Sequence, residues 1–256
     1  MRKKTVVQIS VCAALLVVLA VLMLVRLKAA DALEAAEKQA AEATPTPIAT
    51  PVPMPTPSAE PESGLPRINV ADWQYVLVNA AHPLGNVEPE SLTELEGGHS
   101  FDSRAAASLQ KFIDAARAEG LSVCLSSAYR NYNEQSYLYN RKVQQLGGDE
   151  AAAARIVTPP GASEHQLGLC ADITDRFYEV KTHDLENTAL FQWMQAHCQE
   201  YGFILRYPKD KEEITGIMYE PWHFRYVGVE AATYIMENGL CFEEFLDLYQ
   251  QTPAEG

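Results

Sequence analysis

The chain has 256 residues, 20 of them Lys or Arg and 34 Asp or Glu, for a formal net charge of −14. Five basic residues (Arg2, Lys3, Lys4, Arg26, Lys28) and no acid fall in the first 28 positions, so 15 basic residues face 34 acidic ones beyond them, a net −19. A body that acidic repels phosphate and excludes nucleic acid as a partner, while a 47% hydrophobic content can supply a core.

Val6 to Val25 is apolar except for Gln8 and Ser10, and such a run at about 1.5 Å rise per residue spans a hydrocarbon core of roughly 30 Å. Arg2, Lys3 and Lys4 precede it, which predicts a transmembrane anchor over 1–28 with a cytoplasmic N-terminus and the remainder outside. A signal-peptide core is shorter, about 7–15 residues. The alternative is nevertheless a secreted form cut near Ala30-Asp31-Ala32, and Cys12 reads as a buried thiol. Residues 29–66 form a linker. Ala and Glu dominate its first part, a fraying helix, and Thr44 to Pro66 then holds eight of the fifteen prolines. That density favours an extended polyproline II spacer, with a reach of roughly 70 Å at about 3.1 Å per residue.

One domain of mixed elements is expected over 67–256. Gln74 to Val78 reads as a strand. Asp102 is placed to cap a helix over 103–119 that buries Leu109, Phe112, Ile113 and Ala116 and stops at Gly120. Strands are predicted over 121–126, 169–173, 203–206 and 222–227. Asn133 is placed to cap a helix ending at Gly147-Gly148, and further helices are predicted over 188–201 and 229–249. This order lacks a regular strand-helix alternation and implies an α+β fold. Cys124, Cys170, Cys198 and Cys241 have no close pairing and read as free, mostly buried thiols, although an exported chain could form two disulfides.

Two segments carry candidate chemistry, Ser163-Glu164-His165-Gln166-Leu167-Gly168-Leu169-Cys170-Ala171-Asp172 and Glu220-Pro221-Trp222-His223. A catalytic zinc site takes three protein ligands, commonly imidazole and carboxylate, and keeps one position open. His165, Asp172 and His223 would supply two nitrogens and one oxygen, leaving Glu220 to take a proton from water. Pro221 argues against a helix-borne pair. The spacing alone leaves structural hydrogen bonding as an equal reading.

The ordered set Ser-x-His-x6-Asp and Glu-x-x-His resembles the VanY-type zinc D-alanyl-D-alanine carboxypeptidases, as do the flanking SSAYRNYNEQ at 126–135, Pro-Pro-Gly at 159–161 and YGFILRYP at 201–208. The resemblance runs from about Val76 to Gly228. It implies the hedgehog/DD-peptidase fold, one zinc ion on His165, Asp172 and His223, and Glu220 as general base. It further implies hydrolysis of terminal D-alanine from peptidoglycan stem peptides, with Arg130 and Gln135 holding substrate. Guanidinium suits a free C-terminal carboxylate. Ser163 and Tyr207 are expected to line the same site.

The remaining histidines (His82, His99, His183, His197) lack ligand spacing. Glu164 reads as a solvated neighbour of His165, Cys170 as a small core residue, and Glu243, Glu244 and Asp247 as an exposed helix face. A D,D-carboxypeptidase is favoured over an L,D-enzyme acting on tetrapeptides. A cross-link endopeptidase would not need Arg130, and a catalytically silent peptide-binding module would not need Glu220. The protein is expected to be a monomer.

Overall fold

The computed structural model describes residues 64–177 and 180–251; the predicted anchor and nearly all of the linker lie outside them. Among the described residues no helix is long and apolar enough to cross a membrane. The fold is α+β. Its first pair of strands, β1 (Leu92–Glu94) and β2 (Ser100–Asp102), forms a small antiparallel hairpin. Helix α1 (Ala106–Ala118) follows, then β3 (Cys124–Ser127), α2 (Tyr132–Gln145) and the short α3 (Glu150–Ala154). After β4 (Cys170–Thr174) come α4 (Ala189–His197), β5 (Phe203–Leu205), a turn of helix α5 (Glu212–Thr215) and β6 (His223–Tyr226). Helices α6 (Val229–Glu237) and α7 (Phe242–Gln251) close the order.

Strands β3, β4, β6 and β5, in that spatial order, make one antiparallel sheet. Side chains alternate across a strand, and here the alternation separates core from chemistry. Ala171 and Ile173 of β4, Phe224 of β6, and Phe203 and Leu205 of β5 pack with Leu109, Phe112 and Ile113 of α1 and Leu190, Phe191 and Met194 of α4. Cys170 and Asp172 alternate with the β4 pair, as His223 and Arg225 do with Phe224, and so occupy the opposite face. Ile204 shares that face and packs with Ala231 and Ile235 of α6 and Phe242 and Phe245 of α7. Cover on both faces explains why all five residues of β4 are buried.

Four local expectations need correction. Residues 74–78 are not a strand: Trp73–Tyr75 forms a 3-10 turn, and the carbonyls of Gln74 and Val76 accept from Arg225 Nη2 at 2.9 and 3.0 Å instead of joining a ladder. Asp102 does not cap α1. It pairs with Leu92 in the hairpin, and its carboxylate accepts from the Arg104 backbone and Nε, both at 2.9 Å, so the helix begins after Ala105. Helix α2 is capped by Asn131, not Asn133, because Glu134 completes a capping box with Asn131. The C-terminal helix is broken after Glu237, and the chain re-enters helix at Phe242. The four cysteines of the domain are free thiols, three buried and Cys124 half-buried.

Candidate active site

Strand register brings two candidate ligands together: Asp172 of β4 lies directly opposite His223 of β6. His165 comes from a 3-10 turn, Glu164–Leu167, that ends at Gly168 with φ +66°. There the Gly168 carbonyl accepts from the Asp102 backbone at 2.9 Å, and a Cβ would sit 3.1 Å from that same nitrogen. Glycine therefore turns the chain into β4 where a side chain would be both strained and crowded. Glu220 is fixed by its backbone, donating to the Tyr207 carbonyl and accepting from His223 N–H, each at 3.2 Å.

Asp172 Oδ1 lies 3.4 Å from His165 Nε2 and 3.1 Å from His223 Nδ1, and Glu220 Oε2 lies 3.6 Å from that Nδ1. The two imidazoles stand nearly perpendicular, at 87° with centroids 5.0 Å apart. His165 Nδ1 is 2.5 Å from the Ala128 carbonyl, a contact that places its proton on Nδ1 and leaves Nε2 free toward Asp172. Asp172 Oδ2 accepts from Lys181 Nζ at 2.5 Å, with Arg130 Nη1 3.7 Å away.

Burial opposes the charge of Asp172, yet Lys181 and His165 hold its carboxyl well below the usual range. Burial also disfavours imidazolium, but Cys170 and Asp172 raise both histidines, despite Arg130 acting against His165. Glu220 behaves oppositely to Asp172: burial pushes its carboxyl up to about 7. A carboxyl at that value is poised for proton transfer near neutrality.

These groups open onto a cavity of about 550 Å³, lined also by Arg130, Ser163 and Tyr207. Tyr207 is buried with its ring against His223, centroids 4.8 Å apart. Arg130 keeps 20% of its side chain exposed, donates from Nη1 to Ser127 Oγ at 2.8 Å, and donates from Nε to Gln135 Oε1 at 3.0 Å. Gln135 is wholly buried and absent from the cavity lining; its amide in turn donates to the Thr158 carbonyl at 2.7 Å. It reaches the site through Arg130.

Several residues that sequence reasoning discounted are part of this centre. Glu164 is not solvated: it is 1% exposed, accepts from Arg206 Nε at 2.8 Å and has Arg225 Nη1 at 2.8 Å. Burial would raise its carboxyl, but the two guanidiniums, themselves wholly buried, hold it well below the usual range. Glu243 does not belong to an exposed face either, since it binds Arg206 in a fork at 2.8 and 2.7 Å; Glu244 pairs with Lys211, and only Asp247 of the three is exposed. Lys181 carried no motif. Cys170 is buried as expected of a core residue, yet its sulfur and ring nitrogens of His165 and His223 lie within 4.8 Å of one another. Burial raises that thiol, and the two histidines bring it back down to about 7.

Comparison with known proteins places this geometry. The family model described as VanY, D-alanyl-D-alanine carboxypeptidase, matches residues 98–229. A D-alanyl-D-alanine carboxypeptidase of Enterococcus faecalis is 39% identical over 183 residues, which cover 69% of this chain and 66% of that relative's length. The crystal structure of a vancomycin-resistance D,D-pentapeptidase VanY mutant with Zn(II) is similar with a TM-score of 0.61 at 39% identity, over 68% of this chain and 99% of that one. The LdcB LD-carboxypeptidase is similar with a TM-score of 0.57 at 36% identity, over 68% and 85% of the two chains. The match runs from just before β2 through the whole four-stranded sheet, including the strands that carry Asp172 and His223, and shows that the chain belongs to the VanY family of D-alanyl-D-alanine carboxypeptidases.

Proposed function

We propose that the protein is a zinc-dependent carboxypeptidase that removes C-terminal D-alanine from peptidoglycan stem peptides, with the D,D bond as its preferred target. The observation that carries this reading is one cavity holding His165, Asp172, His223, Glu220 and the partly exposed Arg130. Two imidazole nitrogens facing one carboxylate oxygen at 3.4 and 3.1 Å form a donor set that suits zinc. A zinc ion held by these three residues would supply Lewis acidity, polarising the scissile carbonyl and lowering the pKa of water.

The chain's own residues do the rest. Glu220, with its carboxyl pushed up to about 7, takes a proton from water and returns it to the departing amine of D-alanine. Arg130, held by Ser127 and Gln135, meets the terminal carboxylate and fixes the reacting bond in the cavity. Tyr207 and Ser163 form the wall beside His223 and His165. A base beside a metal ligand is superfluous in a silent binding module, and a cation for a free carboxylate is superfluous in an endopeptidase.

An L,D-carboxypeptidase is the second reading, supported by the likeness to LdcB. For location, the apolar run from Val6 to Val25 after three basic residues supports a single-pass membrane protein with its catalytic domain on the wall side; secretion after cleavage is the alternative. Metal analysis joined to mass analysis of products from defined penta- and tetrapeptides tests the reading. One zinc per chain and loss of D-alanine from the pentapeptide are expected. Loss from the tetrapeptide alone would replace the D,D preference with L,D, and loss from neither would refute the function.

A further inference from the structure

The two imidazoles turn different nitrogens toward Asp172, Nε2 from His165 and Nδ1 from His223. Each ring then has a far nitrogen that must be satisfied inside the protein. For His165 the far nitrogen meets the Ala128 carbonyl at 2.5 Å. For His223 it is Nε2, which is buried and has no hydrogen-bond partner. Facing it at 3.7 Å is Glu164 Oε2, also buried and also without a partner. A donor and an acceptor that each lack a partner complement one another, and burial makes leaving both unpaired costly.

The way Glu164 divides its oxygens supports a directed role. Glu243 meets Arg206 with both carboxylate oxygens, as a simple counterion does. Glu164 instead accepts from Arg206 Nε on Oε1 at 2.8 Å, with Arg225 Nη1 in ion-pair contact at 2.8 Å from that same oxygen, and keeps Oε2 turned to His223. Arg225 is anchored on its other side by the Gln74 and Val76 carbonyls, and Arg206 by Glu243 of α7. The carboxylate is therefore held from behind and has little freedom to turn away.

We propose that Glu164 is a positioning residue for the metal centre: it accepts the proton-bearing Nε2 of His223, selects that tautomer, and so leaves Nδ1 to the metal. This rests on the zinc reading of His165, Asp172 and His223. Carboxylate partners of this kind orient metal-bound imidazole, and losing one typically costs 10–100-fold in metal affinity.

The test compares the full chain with Glu164→Gln and Glu243→Gln variants, measuring zinc affinity by chelator competition and thermal stability in parallel. Both variants disturb the buried Arg206, so both lose stability, but only Glu164→Gln should lose affinity, by about 10–100-fold. Wild-type affinity in Glu164→Gln, or affinity losses in both variants that follow their stability losses, would overturn the proposal. Should Glu164→Gln fail to fold, nitrogen-15 histidine spectra of the unaltered zinc-loaded protein decide. The proton should sit on Nε2 of His223 and on Nδ1 of His165; a proton on Nδ1 of His223 would overturn the assignment. If the chain binds no zinc, metal analysis reports that separately, and the zinc-free spectrum still reads whether His223 Nε2–H is hydrogen-bonded.

Discussion

Arg130 is held in a way that makes its contribution measurable. Its Nε and Nη1 are committed to Gln135 and Ser127, which fixes the guanidinium plane, while 20% of the side chain stays exposed and the residue lines the cavity. A carboxylate meeting that cation at about 4 Å in an effective dielectric near 20 gains roughly 4 kcal/mol, and charge-assisted hydrogen bonds alone are worth about 1.5–3 kcal/mol. Taking about 3–4 kcal/mol as the loss, Arg130→Ala should lower kcat/KM on a peptide with a free C-terminal carboxylate by about 10²–10³-fold. The same peptide with a C-terminal amide offers no charge to lose, and its already slow turnover should fall less than about tenfold. Gln135→Leu removes only the acceptor that fixes Nε, so a loss of about tenfold, again confined to the acid, is expected. The assay is steady-state release of D-alanine from paired acid and amide substrates, with metal content measured in every variant because Arg130 Nη1 lies 3.7 Å from Asp172. Equal losses on acid and amide would refute the carboxylate-clamp argument.

Further outcomes concern the base, the acid limb and the buried charges. Glu220→Ala should reduce turnover by at least about 10²–10⁴-fold while zinc stays bound; retained turnover would remove Glu220 as the base. A general base works as its carboxylate, so with Glu220 in that proposed role kcat/KM should rise with pH through its ionisation. Burial sets that carboxyl near 7, and a bound dication lowers it, so the limb should fall below 7; a limb above 7 in a pH–rate profile would contradict this. Glu243→Gln strips the wholly buried Arg206 of its fork but leaves Glu164 in place, which should cost about 2–4 kcal/mol. In thermal unfolding that amounts to a fall of about 5–12 °C, and a loss below about 1 kcal/mol would show the fork to be dispensable.

The meeting of Asp172 and His223 was legible because their spacing reflects the sheet. Asp172 and His223 lie on strands that could be read from their apolar partners Ala171, Ile173 and Phe224, and Pro221 excluded a helix. Helix α1 was readable for the same reason, its buried stripe of Leu109, Phe112, Ile113 and Ala116 having a helical period. The start of α2 was readable in principle: two asparagines compete, and Glu134 three residues after Asn131 marks the right one. Hairpin β1–β2 gave no such signal, since its strands are three residues each and those of β1 are all exposed. The buried charges were beyond sequence reasoning. Glu164, Arg206, Arg225 and the half-buried Glu243 each look solvated in isolation, and their withdrawal from solvent follows only from a pairing that spans 37 to 61 positions. Lys181 was missed similarly, as a lysine without a motif whose contact with Asp172, nine positions earlier, follows no helical or strand spacing.

The pairing of Asp172 with His223 sets unequal limits on how this chain can change length. A strand shifted by one residue turns every side chain to the other face. A single deletion within β4 or β6 would thus send Asp172 or His223 to the other face of the sheet and bring an apolar neighbour into its place. Those two residues are 51 positions apart in sequence, the described residues between them include helices α4 and α5 and strand β5, and exposed turns there can gain or lose residues without moving Asp172 or His223. Length variation among relatives of this protein should therefore accumulate in that connection and be absent from the nine residues of the two strands.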